Sequence, residues 1–353
     1  MRITVTTLKN TIKTIATYAI ALVVGFGVAA CGSQAPSTQT KPEEAKSNKP
    51  ISVVSTLDTW GSLAQEIGGE DVKVVNLLNG SNANVDDAKL SDNDSKTLHS
   101  AQVIVVNGAG YDDWATKNLP KKTELVSAAS TVGALNGDNP YLWFSRDARS
   151  AMANSLYETF SRINPAKRKD FTSRFNKWKD KEKTLDAYLN KFASVHAKYK
   201  IASTSPIIFW LLSDINIKDS APKDYISSIA QGTDPSTQSI GEFSKLLEDR
   251  HIDVLINDSQ KNKNDNINVI NGIAGRSYTS IVNVSELMPS YAKQLDTWII
   301  KILDDIENGT KTSASMRLAI DKQEKPSRLI TEKPKPVLPG PVRSNEGQKD
   351  PGK

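Results

Sequence analysis

The feature that most constrains the fold is an uninterrupted helical stretch in the middle of the chain. Asn164-Pro165 is typical of a helix start, and no glycine or proline follows before Tyr199. Large apolar residues recur near one stripe at helical spacing: Phe171, Phe175, Trp178, Leu185, Leu189 and Phe192. At 1.5 Å per residue, a helix over 164–199 would be about 50 Å long. A helix of that length must run from one lobe of the protein to another.

Strand-like and helix-like segments alternate on both sides of this stretch. The segments ISVVSTL, DTWGSLAQEIGG and VKVVNLL follow one another near the front, and IDVLINDS and SYTSIVNVSEL are typical of strands further on. Such alternation predicts parallel sheets. We predict an α/β protein with two α/β lobes of mainly parallel sheets, at 50–160 and 200–310, joined by one long linking helix at 164–199. The cleft between the lobes, at the carboxyl ends of the strands, is then the expected ligand site.

The first residues predict export and a lipid anchor. Arg2, Lys9 and Lys13 precede an apolar run from about 15 to 30 that is shorter than the roughly 20 residues of a membrane span. The run ends in VAAC, which resembles a bacterial lipobox, and Cys31 is the only cysteine of the chain. We predict a lipoprotein signal peptide at 1–30 and an acylated (palmitate-bearing) Cys31 that holds the protein on the extracellular face of the membrane. One cysteine also excludes an intrachain disulfide framework.

Polar segments flank the predicted lobes and carry the excess positive charge. Residues 31–49 are rich in Ser, Thr, Pro and Lys and predict a flexible tether, and residues 311–353 predict a disordered Pro/Lys-rich tail. The tail contains 10 Lys/Arg and 5 Asp/Glu, whereas the whole chain is only +5. The predicted signal peptide adds +3 and the tether +1, so residues 50–310 come to about −4. This acidic balance argues against nucleic acid as the partner of the lobes. The tail is either a solvated segment or a contact for anionic cell-wall polymer or lipid headgroups.

The motifs of common enzyme classes are absent from the sequence. There is no Gly-x-x-x-x-Gly-Lys-[Ser/Thr] phosphate loop, no Gly-x-Ser-x-Gly elbow and no His-Glu-x-x-His helix. No nucleophile and base stand in a recognisable arrangement. We therefore predict that the protein is not an enzyme.

Several segments resemble the solute-binding lipoproteins of zinc and manganese ABC importers. They are VVSTLDTWGSLAQEIGGEDVKVVNLL, SDNDSKTLHSAQVIVVNGAGYDDW, NPYLWF, GTDPSTQSIGEFSKLLEDRHIDVLINDSQ and VNVSELMP, in family order over residues 50–308. The resemblance implies a two-lobed fold with a rigid linking helix. It also implies a monomer that delivers a divalent metal ion, zinc or manganese, to an ABC permease in the membrane.

The family has four metal-ligand positions, and this chain departs from the pattern at three of them. The resemblance places Asn84 where relatives have the first histidine, Tyr141 in NPYLWF where they have the second, and Ser205 where they have His or Glu. Glu286 in VNVSELMP matches the fourth, acidic position. NPYLWF thus keeps the residues around the ligand position of the family but has a tyrosine in place of the metal-binding histidine.

The donor chemistry of these four residues predicts a weak or absent metal ion. Zinc and manganese are bound by imidazole or carboxylate, whereas Asn, Tyr and Ser each offer one weak oxygen. His99, His196 and His251 lie in or at the ends of predicted helices, where surface or capping roles are expected. Three hypotheses remain: a metal-binding component with a rearranged site, an accessory or interaction lipoprotein that kept the fold without the metal, and a binder of a small polar organic ligand.

Overall fold

The computed structural model describes residues 49–80, 85, 87–117, 119–261 and 263–324, all within one compact unit of the chain. The predicted signal peptide, Cys31, nearly all of the tether, Asn84 and residues 325–353 lie outside these residues.

The first lobe is a parallel α/β sheet with helices on both faces. Its elements are β1 (Ile51–Leu57), α1 (Asp58–Gly68), β2 (Val72–Leu78), α2 (Asp92–Ser100), β3 (Val103–Val106), α3 (Asp113–Thr116), β4 (Glu124–Ser127), α4 (Ala128–Val132) and α5 (Arg146–Ile163). The sheet order is β2-β1-β3-β4, and every neighbouring pair is parallel. Val53 and Val105 pack into the main core, whereas Val54 and Ile104 face a second cluster with Leu98, because successive side chains of a strand point to opposite faces.

The second lobe repeats the same architecture with fewer strands. Its elements are β5 (Ile201–Ser203), α7 (Phe209–Asp214), α8 (Lys223–Ala230), α9 (Thr237–Glu248), β6 (Val254–Asp258), α10 (Asp265–Arg276), β7 (Ser280–Val284) and α11 (Leu295–Glu324). The order is β5-β6-β7, again parallel throughout. The two parallel sheets confirm the predicted α/β fold class.

One long helix, α6 (Arg168–His196), links the lobes without a break. A 3₁₀ turn at Pro165–Lys167 precedes it, and the Asn164 side chain makes no capping hydrogen bond, so the α-helix itself is shorter than the stretch 164–199. The absence of internal glycine and proline leaves nothing to kink the helix.

Polar contacts tie α6 to both halves of the protein. Near its start, Arg174 pairs with Asp71 of the first lobe. Near its end, the Tyr188 hydroxyl donates to Asp304 of α11. Between them the buried Leu185 belongs to an apolar cluster that continues through both lobes. The helix therefore connects the two lobes, as its sequence predicts.

The C-terminal helix extends further than the sequence indicates, which corrects the predicted start of the tail. Residues 311–324, placed in the disordered tail above, continue α11 to its end at Glu324. Ser313 is buried and accepts a hydrogen bond from the first backbone N–H of β7 (2.7 Å). Arg317 donates to the Ile252 carbonyl (2.7 Å). These polar contacts hold the segment on the second lobe, and the prolines that indicate disorder begin only beyond it. None of the described helices is both long and apolar enough to cross a membrane.

Candidate functional site

A tight loop after β3 carries the first side chain of the site. Asp112 is fully buried and closes this loop: its carboxylate accepts hydrogen bonds from the backbone N–H groups of Asn107 (2.6 Å) and Gly108 (2.8 Å). It also accepts from the Thr56 hydroxyl (2.6 Å). Burial raises the pKa of Asp112, and these hydrogen bonds lower it in part. The neighbouring Tyr111 is thereby presented toward the second lobe.

NPYLWF forms the rigid frame that its sequence predicts. The Asn139 amide oxygen accepts the Tyr141 backbone N–H (3.0 Å), and its amide nitrogen donates to the Pro206 carbonyl across the cleft (2.9 Å). Trp143 is fully buried and packs edge-on behind the Tyr141 ring, with 5.6 Å between ring centroids. Trp210 of α7 donates to the Asn139 carbonyl (3.2 Å). The direction of Tyr141 is therefore determined by contacts with both lobes.

The opposite wall is the segment that follows β7, where Glu286 is 1% exposed. The Gln260 side-chain oxygen accepts the backbone N–H groups of Glu286 (2.5 Å) and Leu287 (3.0 Å) and so shapes the turn. The Glu286 carboxylate accepts a hydrogen bond from Tyr111 on one oxygen (2.5 Å) and from Tyr141 on the other (3.0 Å). One carboxylate from the second lobe thus joins two phenols from the first.

A cation and a second carboxylate complete the cluster. The Lys261 ammonium lies 3.6 Å from the Glu286 oxygen that Tyr141 contacts. Asp258, at the end of β6, is fully buried and accepts a hydrogen bond from Ser205 (2.8 Å). Burial, and then the charge of Glu286, raise the pKa of Asp258 to about 8, although Ser205 and Lys261 oppose the shift. Burial and Glu286 likewise hold the pKa of Tyr111 well above its ordinary range, so Tyr111 stays a neutral donor.

The structure brings three of the four predicted positions to this place. Tyr141 contacts Glu286 directly, and Ser205 joins them through Asp258. Asn84 is outside the described residues. His99, His196 and His251 lie elsewhere: His99 contacts its own helix α2, His196 lies beside Glu307, and His251 is exposed after α9.

Three members of the cluster were not predicted from the sequence: Tyr111, Asp258 and Lys261. Tyr111 stands in the family-like segment VVNGAGYDDW and Asp258 ends the strand-like VLIND, so the ends of predicted strands were a usable signal for both. Lys261 follows in a lysine-rich turn, SQKNKN, and nothing in that pattern distinguishes it from its neighbours.

The donor set does not fit a zinc or manganese ion. Across the described ranges, no group of three or more His, Cys, Asp or Glu side chains is arranged to hold a metal. Among the described residues, the site has two carboxyl groups, of which Asp258 favours its protonated form, and an ammonium group lies beside the other. Transition metals prefer imidazole, thiolate or several carboxylates, and a neighbouring cation repels them.

Two α/β lobes on a linking helix, with a polar cluster between the strand ends, define the class of two-lobed solute-binding proteins. The family model for zinc-uptake complex component A, periplasmic, matches residues 53–309. The chain belongs to this family of extracytoplasmic uptake components, and the resemblance stated from its motifs is confirmed.

Individual relatives are distant. The iron-binding protein YfeA of Yersinia pestis is 25% identical over 183 residues, which are 48% of this chain and 58% of YfeA; the match thus spans little more than half of that relative. The solute-binding protein FpvC of Pseudomonas aeruginosa, solved with Mn²⁺, aligns over 76% of this chain and 100% of its own, with a TM-score of 0.59 and 17% identity. The laminin-binding protein Lmb of Streptococcus agalactiae, described as bifunctional with adhesin and metal transporting activity, aligns over 74% of this chain and 100% of its own, with a TM-score of 0.62 and 16% identity. At these identities the structures establish the shared fold.

Proposed function

We propose that the protein is a lipid-anchored, extracytoplasmic solute-binding component of the metal-importer class whose interlobe site is altered and binds zinc or manganese weakly or not at all. It has no enzymatic role, acts as a monomer and docks on an ABC permease in the membrane. Family membership over residues 53–309 supports the transport class. The altered site is supported by the chemistry of the cluster.

The observation that carries the proposal is the environment of Glu286. Of the four predicted ligand positions this one keeps its carboxylate, yet two phenol hydroxyls and the Lys261 ammonium surround it. A carboxylate buried without such partners would be costly. The resemblance places Tyr141 at a histidine position, and we propose that its phenol fills the space of an imidazole and its metal, with its hydroxyl donating to Glu286.

Titration of the full-length chain in a non-ionic detergent with ZnCl₂ and MnCl₂ tests the altered site. We expect no saturable heat and no rise in Tm at micromolar metal, whereas the variant Asn84→His/Tyr141→His should bind more tightly because it regains two imidazoles. A ligand at 100 times its Kd adds about 2.7 kcal/mol of stability, so a functional site would be visible in thermal melts. A rise of several degrees in the wild type, abolished by Glu286→Ala, would restore the ordinary metal-binding role.

The anchor is tested separately. Cys31 is the only residue of the chain that can carry the thioether-linked lipid. Substitution Cys31→Ser should release the protein into the medium or periplasm and remove radioactive palmitate from it. Wild-type protein that carries no lipid after metabolic labelling would contradict the anchor.

A second candidate is an accessory or interaction lipoprotein that carries no cargo. It is favoured by the burial of the site, since Ser205 and Glu286 are each 1% exposed and already hydrogen-bonded. Zinc and manganese uptake by the native host with and without the chain separates the two: unchanged uptake together with an intact permease supports the accessory role. The small polar ligand finds less support, because the hydroxyls of Tyr141 and Ser205 already donate to carboxylates.

A further inference from the structure

Two carboxyl groups converge at the ends of neighbouring strands, and they can both ionise only if a positive charge lies beside them. Asp258 ends β6 and pairs in register with Val284 at the end of β7, and Glu286 follows two residues later. Both carboxyl groups are buried, at 0% and 1% exposure. Two neighbouring buried carboxylates are unfavourable without a countercharge.

Lys261 is directed at this pair by the backbone. Its N–H donates to the Asp258 carbonyl (3.2 Å) and closes the turn that follows β6. Its ammonium lies 3.6 Å from Glu286, and its side chain remains 24% exposed. The lysine thus approaches the cluster from the side that water can reach.

The nearby Lys263 provides a contrast within the same turn. Its side chain is 78% exposed and pairs with Asp87, whose own side chain is 64% exposed. Such an exposed pair contributes little to stability. Lys261 instead meets a carboxylate whose side chain is only 2% exposed. Two lysines separated by one residue therefore have different environments, one at the site and one in solvent.

We infer that Lys261 is a tethered counter-ion that takes the position of a divalent cation at Glu286 and determines that the site excludes metal. This inference rests on the proposed function, in which the site is altered. A divalent ion that binds Glu286 must displace the ammonium or remain beside it, and like charges only a few ångströms apart repel strongly in a buried site. Removal of the lysine charge leaves two carboxylates and the Ser205 hydroxyl, all oxygen ligands of the kind that hard divalent ions accept.

Manganese titration of full-length Lys261→Met in detergent tests this, with free Mn²⁺ followed by electron paramagnetic resonance. We expect Mn²⁺ to bind at least about tenfold more tightly than to the wild type, since one repelling unit charge is lost. Lys263→Met, the matched control, should behave like the wild type. Lys261→Arg should also exclude the ion because it retains the charge, and Lys261→Met/Glu286→Gln should lose the gain.

The outcomes separate this inference from the proposed function. If the wild type itself binds Mn²⁺ or Zn²⁺ at micromolar concentration, the altered-site proposal is wrong. If the wild type excludes both ions and a folded Lys261→Met variant gains nothing over Lys263→Met, only the role of Lys261 is wrong. If the methionine variant fails to fold, Lys261→Gln replaces it in the comparison. The same gain in Mn²⁺ affinity is expected, and its absence would count against the inference.

Discussion

Glu182 and Glu286 are two of the buried carboxylates that lie beside a cation, and their cations differ in kind. Glu182 on α6 accepts two N–H groups of Arg149 on α5, at 2.7 Å and 3.0 Å, and Arg149 is 1% exposed. Glu286 in the cleft has an ammonium at 3.6 Å from a lysine that is 24% exposed, and two phenols supply its hydrogen bonds. The first pair lies between helices of the scaffold, and the second lies at the strand ends where a ligand would bind.

Arg149 holds two parts of the scaffold together, whereas Lys261 is a counter-ion that another cation could replace. The planar guanidinium of Arg149 also donates to the Trp143 carbonyl (3.3 Å), so it joins the linking helix to the frame behind Tyr141. Its donors have a fixed geometry, and both side chains of the pair are buried. The ammonium of Lys261 is a point charge on a flexible stem with access to solvent. Such a group balances the charge of Glu286 without fixing the geometry of the site, as expected of a side chain that replaces a bound cation.

The largest expected effect is on the structural pair. Arg149→Met leaves Glu182 buried without its cation, and breaking a buried pair in this way costs about 3–5 kcal/mol of stability. Urea denaturation followed by circular dichroism measures the loss. Arg162→Met is the control, because Arg162 and its partner Glu124 are exposed and such pairs contribute about 0–1 kcal/mol. If both variants lose the same free energy of unfolding, the buried pair contributes no more stability than the exposed pair.

A smaller loss is expected in the cleft. Glu286→Ala removes the carboxylate that accepts hydrogen bonds from the Tyr141 and Tyr111 hydroxyls, which costs about 2 kcal/mol. Glu286→Gln retains an acceptor and should lose less. The same urea experiment decides the order: if Glu286→Ala proves more costly than Arg149→Met, the cleft cluster is the main structural tie of the protein.

Tyr141→Phe should cost still less, about 1.5 kcal/mol. Among the contacts of the described residues, the hydrogen bond to the charged Glu286 is lost, but Tyr111 and Lys261 remain beside that carboxylate. The matched control is Tyr225→Phe, because Tyr225 is equally buried and its hydroxyl has no hydrogen-bond partner among the described residues. That variant should retain full stability, and a loss as large as that of Tyr141→Phe would mean that the hydroxyl contact with Glu286 contributes nothing.

The smallest effect concerns a buried carboxylate with no paired cation in the described chain. Burial raises the pKa of Asp112 above its ordinary value of 3.8, so the folded state holds its proton at a pH where the unfolded chain releases it. The stabilisation from that proton is complete below about pH 4 and is lost as pH rises through the raised pKa. The stability of the wild type relative to Asp112→Asn should therefore fall from pH 4.5 to pH 7.5 in urea melts. Parallel pH profiles would show that Asp112 does not titrate in this range.

Much of the fold is predictable because its signals are local. The runs ISVVSTL and VKVVNLL contain β-branched residues that favour strands, and the stripe on α6 reflects one buried helix face. The edge strand β4 has only four residues, too few for an alternation to be recognised. The segment 311–324 has a polar sequence, and its helix is held by hydrogen bonds to distant backbone, which no local pattern reports.

The candidate site likewise has features that the sequence predicts and features that depend on contacts between distant segments. The sequence by itself determined that NPYLWF is a rigid loop and that its central residue is a tyrosine, since proline geometry and residue identity are local properties. Only the tertiary structure decided what that tyrosine meets. Tyr111 and Tyr141 reach Glu286 across 175 and 145 residues of chain, and Lys261 arrives from a third segment. The hydrogen bonds from the two phenols to Glu286 depend on distances between strand ends of two lobes, and those distances are established only when the linking helix and the shared core bring the lobes together.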